Sequence, residues 1–269
     1  MAKKYLLIVV CLAYSFVAFS SVSICTWNIR DIGKSKSDET IKFIANTIKL
    51  FDVIAIQEVV AGDGGAQAIA RLHDALNRTG SSWEYSVSNP TSSSAYKAER
   101  YAYLWNKSKV TLVGKPWLEV KYSAEIDREP FYATFSKDGK EFTLVNFHAI
   151  TKARQPETEV KYFKYLPGLY PGLTLIFCGD FNLPQSHSVF NPLKNLGYDS
   201  VLKNQKTSLR DRPVNDDYLA SEYDNIFYNT QKLRILDKGV VHFYRKLADF
   251  EDAKAVSDHI PVYCRIEFL

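Results

Sequence analysis

The chain has 269 residues, 46% of them hydrophobic and 14% aromatic, and a formal net charge of +4. That composition excludes a disordered chain and supplies enough apolar material for a large core. The small positive charge also excludes a coat that holds polyanions by bulk electrostatics, so any attraction to nucleic acid must come from where Lys and Arg are placed.

In chain order, residues 1–23 read as an export leader. Lys3 and Lys4 form a positive start, and an apolar run follows over 5–19, short for a membrane span. Small residues close it: Ala18 and Ser20 suit a cut after Ser20, and Ser21 and Ser23 suit a cut after Ser23. Losing Lys3 and Lys4 would leave a mature charge of +2. Cys11 would go with the leader. Cys25, Cys178 and Cys264 remain, an odd count that cannot close a disulfide framework, and each lies in an apolar strand-like run, as buried inert thiols do.

The remaining chain, 24–269, has no repeat and no Pro/Gly-rich linker, and reads as one domain. Residues 22–29 predict a strand. Residues 38–51 predict a helix with Ile41, Ile44, Ile48 and Phe51 on one face and Ser37 as N-cap. A short strand is expected over 52–57 and a second helix over 66–77, with Ile69, Leu72 and Leu76 inward. A β-rich middle follows over 83–88, 100–105, 109–113, 130–135 and 141–148. Then come a helix near 156–165, a strand over 173–179, a helix or loop over 186–195, and closing strands over 224–228, 235–240 and 259–268. Many strands with few helices suit two packed sheets with helices outside them.

Five apolar runs end on, or start from, an acid, amide or imidazole. ICTWN ends at Asn28, VIAIQE at Glu58 and TLVNFH at His148; LIFCGDFN carries Asp180 and Asn182, and VSDHIPVY opens with Asp258 and His259. Each alone is more simply a turn residue or a cap. Gathered at one rim of a sheet, they supply what phosphodiester hydrolysis needs. Carboxylate and amide oxygens hold a hard cation, one imidazole accepts a proton, and another donates one.

The motif order TWNIR, IAIQEV, REP, VNFHA, CGDFN, YDNIF and SDHIPV resembles the endonuclease/exonuclease/phosphatase superfamily, and within it deoxyribonuclease I, from Cys25 to the C-terminus. NIRDIG, the YKAERY stretch over 96–101, REP and His148 are the features closest to that branch. The resemblance implies an α+β fold, a four-layer α/β/β/α sandwich of two mostly antiparallel sheets flanked by helices. It also implies Mg²⁺-dependent endonucleolytic cleavage of DNA, with Mn²⁺ as a substitute ion. By position, it implies a main metal site at Glu58, Asn28 and Asp258, with Asp180 placed to touch a second metal. Asp180 and Asn182 would orient water and phosphate. His259 would be the general base, oriented by Asp224, and His148 the general acid, oriented by Glu99. Arg128 would hold a phosphate, and Arg30 and Tyr96 would face the DNA.

The sequence departs from the family pattern in places. Val60 stands where the family carries a minor-groove arginine. YKAERY is one residue longer than its counterpart, the family's disulfides are missing, and the region before YDNIF lacks the threonine-rich pattern of a structural Ca²⁺ site. His73, His187 and His242 read as boundary or loop residues, Asp216 and Asp217 as a solvated turn, and the aromatics mostly as core. Asn77 and Asn106 open glycosylation sequons, relevant only in a eukaryotic secretory host. No protein partner is marked, and a monomer is the expectation. Two other readings stay open: a lipid phosphodiesterase or phosphatase of the same superfamily, and a non-catalytic toxin-like module.

Overall fold

The computed structural model describes residues 20–92, 98–215 and 217–269. The leader over 1–19 with Cys11, and the sequence-marked Tyr96 and Asp216, lie outside the described residues.

The first half of the chain builds one sheet and its covering helices. Strand β1 (Ser21–Ile32) leads to α1 (Asp38–Ile48), β2 (Val53–Val60) and α2 (Asp63–Asn77), then to β3 (Trp83–Val87) and β4 (Glu99–Asn106). Ser37 caps α1 by accepting the Thr40 N–H, and Ile41, Ile44 and Ile48 face inward as the periodicity requires. Helix α2 starts three residues before the sequence-based boundary, because the Asp-Gly-Gly opening carries no apolar period.

The second half begins with β5 (Thr111–Leu118), β6 (Phe131–Lys137) and β7 (Lys140–His148). Short helices α3 (Glu157–Val160) and α4 (Leu166–Leu169) precede β8 (Leu175–Asp180), and α5 (Asn191–Asn195) precedes β9 (Tyr198–Ser200). A hairpin of β10 (Leu209–Val214) and β11 (Asp217–Leu219) follows, then β12 (Asp224–Asn229), β13 (Leu233–Val240), α6 (Phe250–Val256) and β14 (Val262–Phe268). Strands β9, β10 and β11 and helix α6 add to the predicted elements, and Asp217, expected in a solvated turn, opens β11.

Two six-stranded sheets result, ordered β13-β14-β1-β2-β4-β3 and β5-β6-β7-β8-β12-β9. Each is antiparallel except for its central pair, β1 with β2 and β7 with β8. The sheets pack face to face over a core that includes Val22, Ile24, Tyr103, Phe135, Ile176 and Ile266. A second cluster seals α1, α2 and α6 onto the first sheet, and a third seals the helical segments around α3–α5 onto the other. This is the expected four-layer sandwich. Cys25, Cys178 and Cys264 are free and buried, and burial raises all three thiols.

Strand direction gathers the polar residues at one end. Parallel strands β1 and β2, and β7 and β8, run to the same rim, where their antiparallel neighbours begin. Glu58 and His148 are therefore brought level with Glu99 and Asp224, the first residues of β4 and β12, and Asp180 pairs directly with both His148 and Asp224. Beneath the rim, a buried polar bridge fixes one sheet against the other. Gln57 Nε2 donates to Thr26 Oγ1 at 2.9 Å and to Asn146 Oδ1 at 2.6 Å, and Asn146 Nδ2 donates to the Ile56 carbonyl at 3.1 Å.

Candidate active site

Local distortions turn ordinary strand ends into a site. The β1–β2 register shifts between Asn28 and Ile32, and the β2–β4 register shifts between Ile56 and Val59. Glu58 sits in that bulge with φ 59°, which frees its side chain from strand alternation. Asp31 (φ 46°) and Asn182 (φ 51°) share the left-handed region. Three non-glycine residues in that conformation around one rim is the kind of strain that collects at functional sites. Gly179 is needed for a different reason. A Cβ there would lie 1.9 Å from the Phe147 carbonyl oxygen, so only glycine lets β8 run this close to β7 beside Asp180.

Asp180 is the hub. Its Oδ2 accepts Asn28 Nδ2 at 3.1 Å and lies 3.5 Å from His148 Nε2 and 3.7 Å from His259 Nε2. Its Oδ1 accepts the Asn182 backbone N–H at 2.8 Å. Both imidazoles thus aim Nε2 at one point, and each has a carboxylate on Nδ1. His148 Nδ1 meets Glu99 Oε1 at 2.9 Å, and His259 Nδ1 meets Asp224 Oδ2 at 2.7 Å. These contacts place Nδ1–H toward the acid and leave Nε2 for chemistry.

The His259–Asp224 pair holds its proton tightly. Burial alone would lower the His259 imidazole, but the carboxylates of Asp224, Asp180 and Asp258 push it up to about 10. Burial also raises Asp224, against the opposing effect of His259. Thr207 Oγ1 donates to Asp224 Oδ2 at 2.7 Å, and Trp27 Nε1 donates to the His259 carbonyl at 2.7 Å. Ser257 Oγ accepts the His259 N–H at 3.1 Å and donates to the Asn28 carbonyl at 2.6 Å. Lys36 Nζ donates to the last carbonyls of α6, Ala255 at 2.7 Å and Val256 at 2.9 Å, which steadies the turn into Ser257, Asp258 and His259.

On the other side, Arg128 is 7% exposed, and its guanidinium binds Glu99 Oε2 at 3.1 Å and the Ala149 carbonyl. The resemblance implies a phosphate partner for Arg128; within the protein its guanidinium is held by a carboxylate and a carbonyl. Asn182 Nδ2 donates to the same Ala149 carbonyl at 3.0 Å. Tyr101 Oη accepts the His148 N–H and donates to the Arg128 carbonyl, each at 3.1 Å. Glu159 accepts the Asp127 N–H at 2.6 Å and the Ile150 N–H at 2.9 Å, one residue before Arg128 and one after Ala149. Glu159 and Thr207 have no local signal that marks them, and Tyr101 is flagged only as the last residue of the YKAERY stretch. Trp27 and Ser257 are flagged only by adjacency to Asn28 and Asp258.

The donor set suits a hard cation. Asn28 Nδ2 also donates to Glu58 Oε1 at 3.2 Å, which leaves Asn28 Oδ1 buried with no hydrogen-bond partner. Glu58 and Asp258 line one cleft of about 510 Å³ with Arg30, Asp31, Leu209, Asp211 and Lys254. A buried, unsatisfied amide oxygen beside carboxylates Glu58 and Asp180 is a ligand set for a divalent ion. Asp180, Asp224 and His259 also bring ligand atoms within 4.8 Å of one another. That grouping is better read as a hub and its imidazole–acid pair, because Asp224 Oδ2 is already engaged by His259 and Thr207.

Of the sequence candidates, Asn28, Glu58, Glu99, Arg128, His148, Asp180, Asn182, Asp224, Asp258 and His259 come together, and Arg30 is exposed at the rim of the cleft. His73 contacts the Trp83 carbonyl, and His187 caps the turn before α5. The Asn77 and Asn106 amides are engaged in local hydrogen bonds, and Asn106 is buried.

The model of the Endonuclease/Exonuclease/phosphatase family matches residues 25–259. A deoxyribonuclease of Thioalkalivibrio sp. (strain K90mix) is 29% identical over 272 residues, covering 93% of this chain and 72% of its own. Deoxyribonuclease gamma of Homo sapiens is 27% identical, covering 92% and 86%. Among solved structures, the human Nocturnin catalytic domain superposes with a TM-score of 0.66 at 17% identity, covering 93% of this chain and 96% of that one. D. rerio TDP2 complexed with single strand DNA product gives 0.67 at 16% identity, covering 92% and 99%. At that identity these structures speak to the fold alone.

Proposed function

The chain belongs to the endonuclease/exonuclease/phosphatase family, and on that premise we propose that it is an exported, divalent-metal-dependent enzyme that hydrolyses the phosphodiester backbone of DNA. The observation that carries the reading is the convergence of two acid-backed imidazoles on Asp180 Oδ2, from opposite sheets. Two imidazoles with free Nε2 atoms suit a reaction that takes a proton from water and gives one to a leaving oxygen. DNA as the substrate is supported by the deoxyribonuclease names of the relatives, and export by the leader-like start of the sequence.

With Asp180 and Asp258 engaged by a cation, the carboxylate pull that holds a proton on His259 would be relieved; its Nε2 then takes the proton from the attacking water while Asp224 stabilises the imidazolium that forms. His148 Nε2 delivers a proton to the departing oxygen, held in place by Glu99, which Arg128 fixes in turn. Asp180 and Asn182 orient water and phosphate between the two rings. Asn28, Glu58 and Asp258, with Asp180 alongside, would hold Mg²⁺ or Mn²⁺; when bound, the ion supplies Lewis-acid polarisation of the phosphate and neutralises its charge. Arg30 faces the DNA from the rim of the cleft.

The test is an assay of purified protein on plasmid DNA, single-stranded DNA, RNA and phospholipid vesicles, with Mg²⁺ and with EDTA. Mg²⁺-dependent nicking of plasmid is the expected result. Release of phosphocholine or phosphate from lipid, with plasmid left intact, would sink the DNA reading in favour of the lipid one.

A further inference from the structure

Beyond the leader-like start, which holds one at 4–5, the dipeptide Lys-Tyr occurs at 121–122, 161–162 and 164–165. Forty residues of sequence separate the first from the others, yet the three rings meet. Tyr122 lies 5.2 Å from Tyr162 and stacks on Tyr165 at 6.1 Å, and Tyr162 and Tyr165 are 6.4 Å apart. Each lysine lies over its own tyrosine, with Nζ 5.6, 5.2 and 4.8 Å from the ring centres of Tyr122, Tyr162 and Tyr165. Among the described residues none of the three ammonium groups has a carboxylate partner. The nearby exposed segment adds Lys152 and Arg154, while Glu125, Asp127, Glu157 and Glu159 are the acids that share these stretches, Glu159 being buried.

Packing explains only part of the cluster. Tyr122 and Tyr162 lie against the third apolar cluster, as covering aromatics should. Tyr165 lies outside that cluster and is 48% exposed, so its ring stacks on Tyr122 without sealing the core. The cluster is also joined to the active site. The loop with Tyr122 runs on to Arg128, and the segment with Tyr162 and Tyr165 follows His148. Glu159 clamps the two together through the Asp127 and Ile150 N–H groups.

We infer that Tyr122, Tyr162 and Tyr165, with Lys121, Lys161 and Lys164, form a second nucleic-acid contact that holds an unpaired DNA strand beside the cleavage centre. Exposed Tyr165 and the open parts of half-buried Tyr122 and Tyr162 offer ring surface on which bases stack, and lysines on those rings swing to the flanking phosphates. The charge selects a polyanion over a neutral glycan. The inference rests on the DNA reading above and assigns to this chain a place where single-stranded substrate is held.

The full chain is tested in EDTA, where no hydrolysis occurs, by fluorescence anisotropy with a labelled single-stranded DNA oligonucleotide. Tyr165→Ala removes a ring that the core does not need and should weaken binding roughly 5- to 150-fold, the range for one stacked base. Lys121→Gln, Lys161→Gln and Lys164→Gln together should flatten the dependence of log affinity on log salt by about 2, at ~0.7 for each single-strand phosphate contact. With Mg²⁺, both variants should hydrolyse bis(p-nitrophenyl) phosphate at the wild-type rate. Unchanged affinity and salt slope in both variants overturns the inference, as does loss of heparin binding without loss of oligonucleotide binding. The two readings fail separately: a wild type that cuts no DNA refutes the proposed activity, while the binding arm in EDTA still decides the cluster.

Discussion

Replacing Asp224 with asparagine isolates what a carboxylate charge does for His259. The surroundings decide how the new amide points. Thr207 Oγ1 accepts the Asp224 and Tyr223 N–H groups at 2.9 and 3.1 Å, so its own hydrogen goes to Asp224 Oδ2. His259 Nδ1 meets the same oxygen. An amide nitrogen there would face two donors, so the asparagine oxygen takes that place and the imidazole keeps its tautomer. The NH₂ then falls where Oδ1 lies, buried and without a partner. An unsatisfied buried donor costs about 1–3 kcal/mol, so the variant should fold with reduced stability. The activity loss should be larger in effect: kcat on plasmid DNA falls by about 10²–10⁴-fold, the contribution of a general acid–base group. In EDTA the His259 pKa should drop from about 10 towards 6.5, as read by imidazole NMR. The sign for stability follows. A raised imidazole pKa stabilises the metal-free wild type fully below pH 6.5, and that contribution is lost as pH rises to about 10. The Asp224→Asn variant should show a flatter pH dependence in denaturant titrations. A folded variant with kcat within about threefold of wild type, or with an unmoved imidazole pKa, would refute the reasoning.

Three further outcomes are expected. Mg²⁺ at about 100 times its Kd should add about 2.7 kcal/mol to wild-type stability, and Glu58→Gln should lose that increment in thermal melts while keeping the EDTA melting temperature. Arg128→Ala should destabilise the protein by about 3–5 kcal/mol, because it strips the cation from buried Glu99; Arg128→Lys should not restore it, since one ammonium cannot span Glu99 and the Ala149 carbonyl. If the proposed export and leader cleavage hold, mass spectrometry of the mature chain should find Ser21 at the N-terminus. Ser21 and Val22 pair with Glu267 and Ile266 and Val22 is fully buried, so a cut after Ser23 would remove core side-chain burial worth at least about 1.5 kcal/mol.

The long elements could be read from sequence because their signals are local. Helix α1 announces itself through Ser37 and the Ile41–Ile44–Ile48 face, and β7 and β8 through their largely apolar runs. The polar strand ends were legible for the same reason: an Asn, Glu, His or Asp at the edge of such a run stands out. Strands β9 and β11, three residues each, exist only through pairing with distant partners, and nothing within three residues encodes that. Helix α6 is too short for a periodic face to show. Glu58 could be named, but the bulge and left-handed φ that release its side chain arise from mismatched register between β1, β2 and β4, a property of three strands at once. Thr207 likewise matters only after β12 has brought Asp224 beneath His259. The three Lys-Tyr pairs were visible as letters, but their convergence needed the fold.

The central claim is that His148 and His259, each backed by an acid, act on one phosphate as a proton-donating and proton-accepting pair. The most direct measurement is the rate of Mg²⁺-dependent plasmid nicking by wild type, His148→Ala, His259→Ala and the double variant, at matched folding. Each single change should cost about 10²–10⁴-fold. The double should cost far less than the product of the two, because groups acting as a unit are not additive. Nicking by either single variant at the wild-type rate would contradict the account.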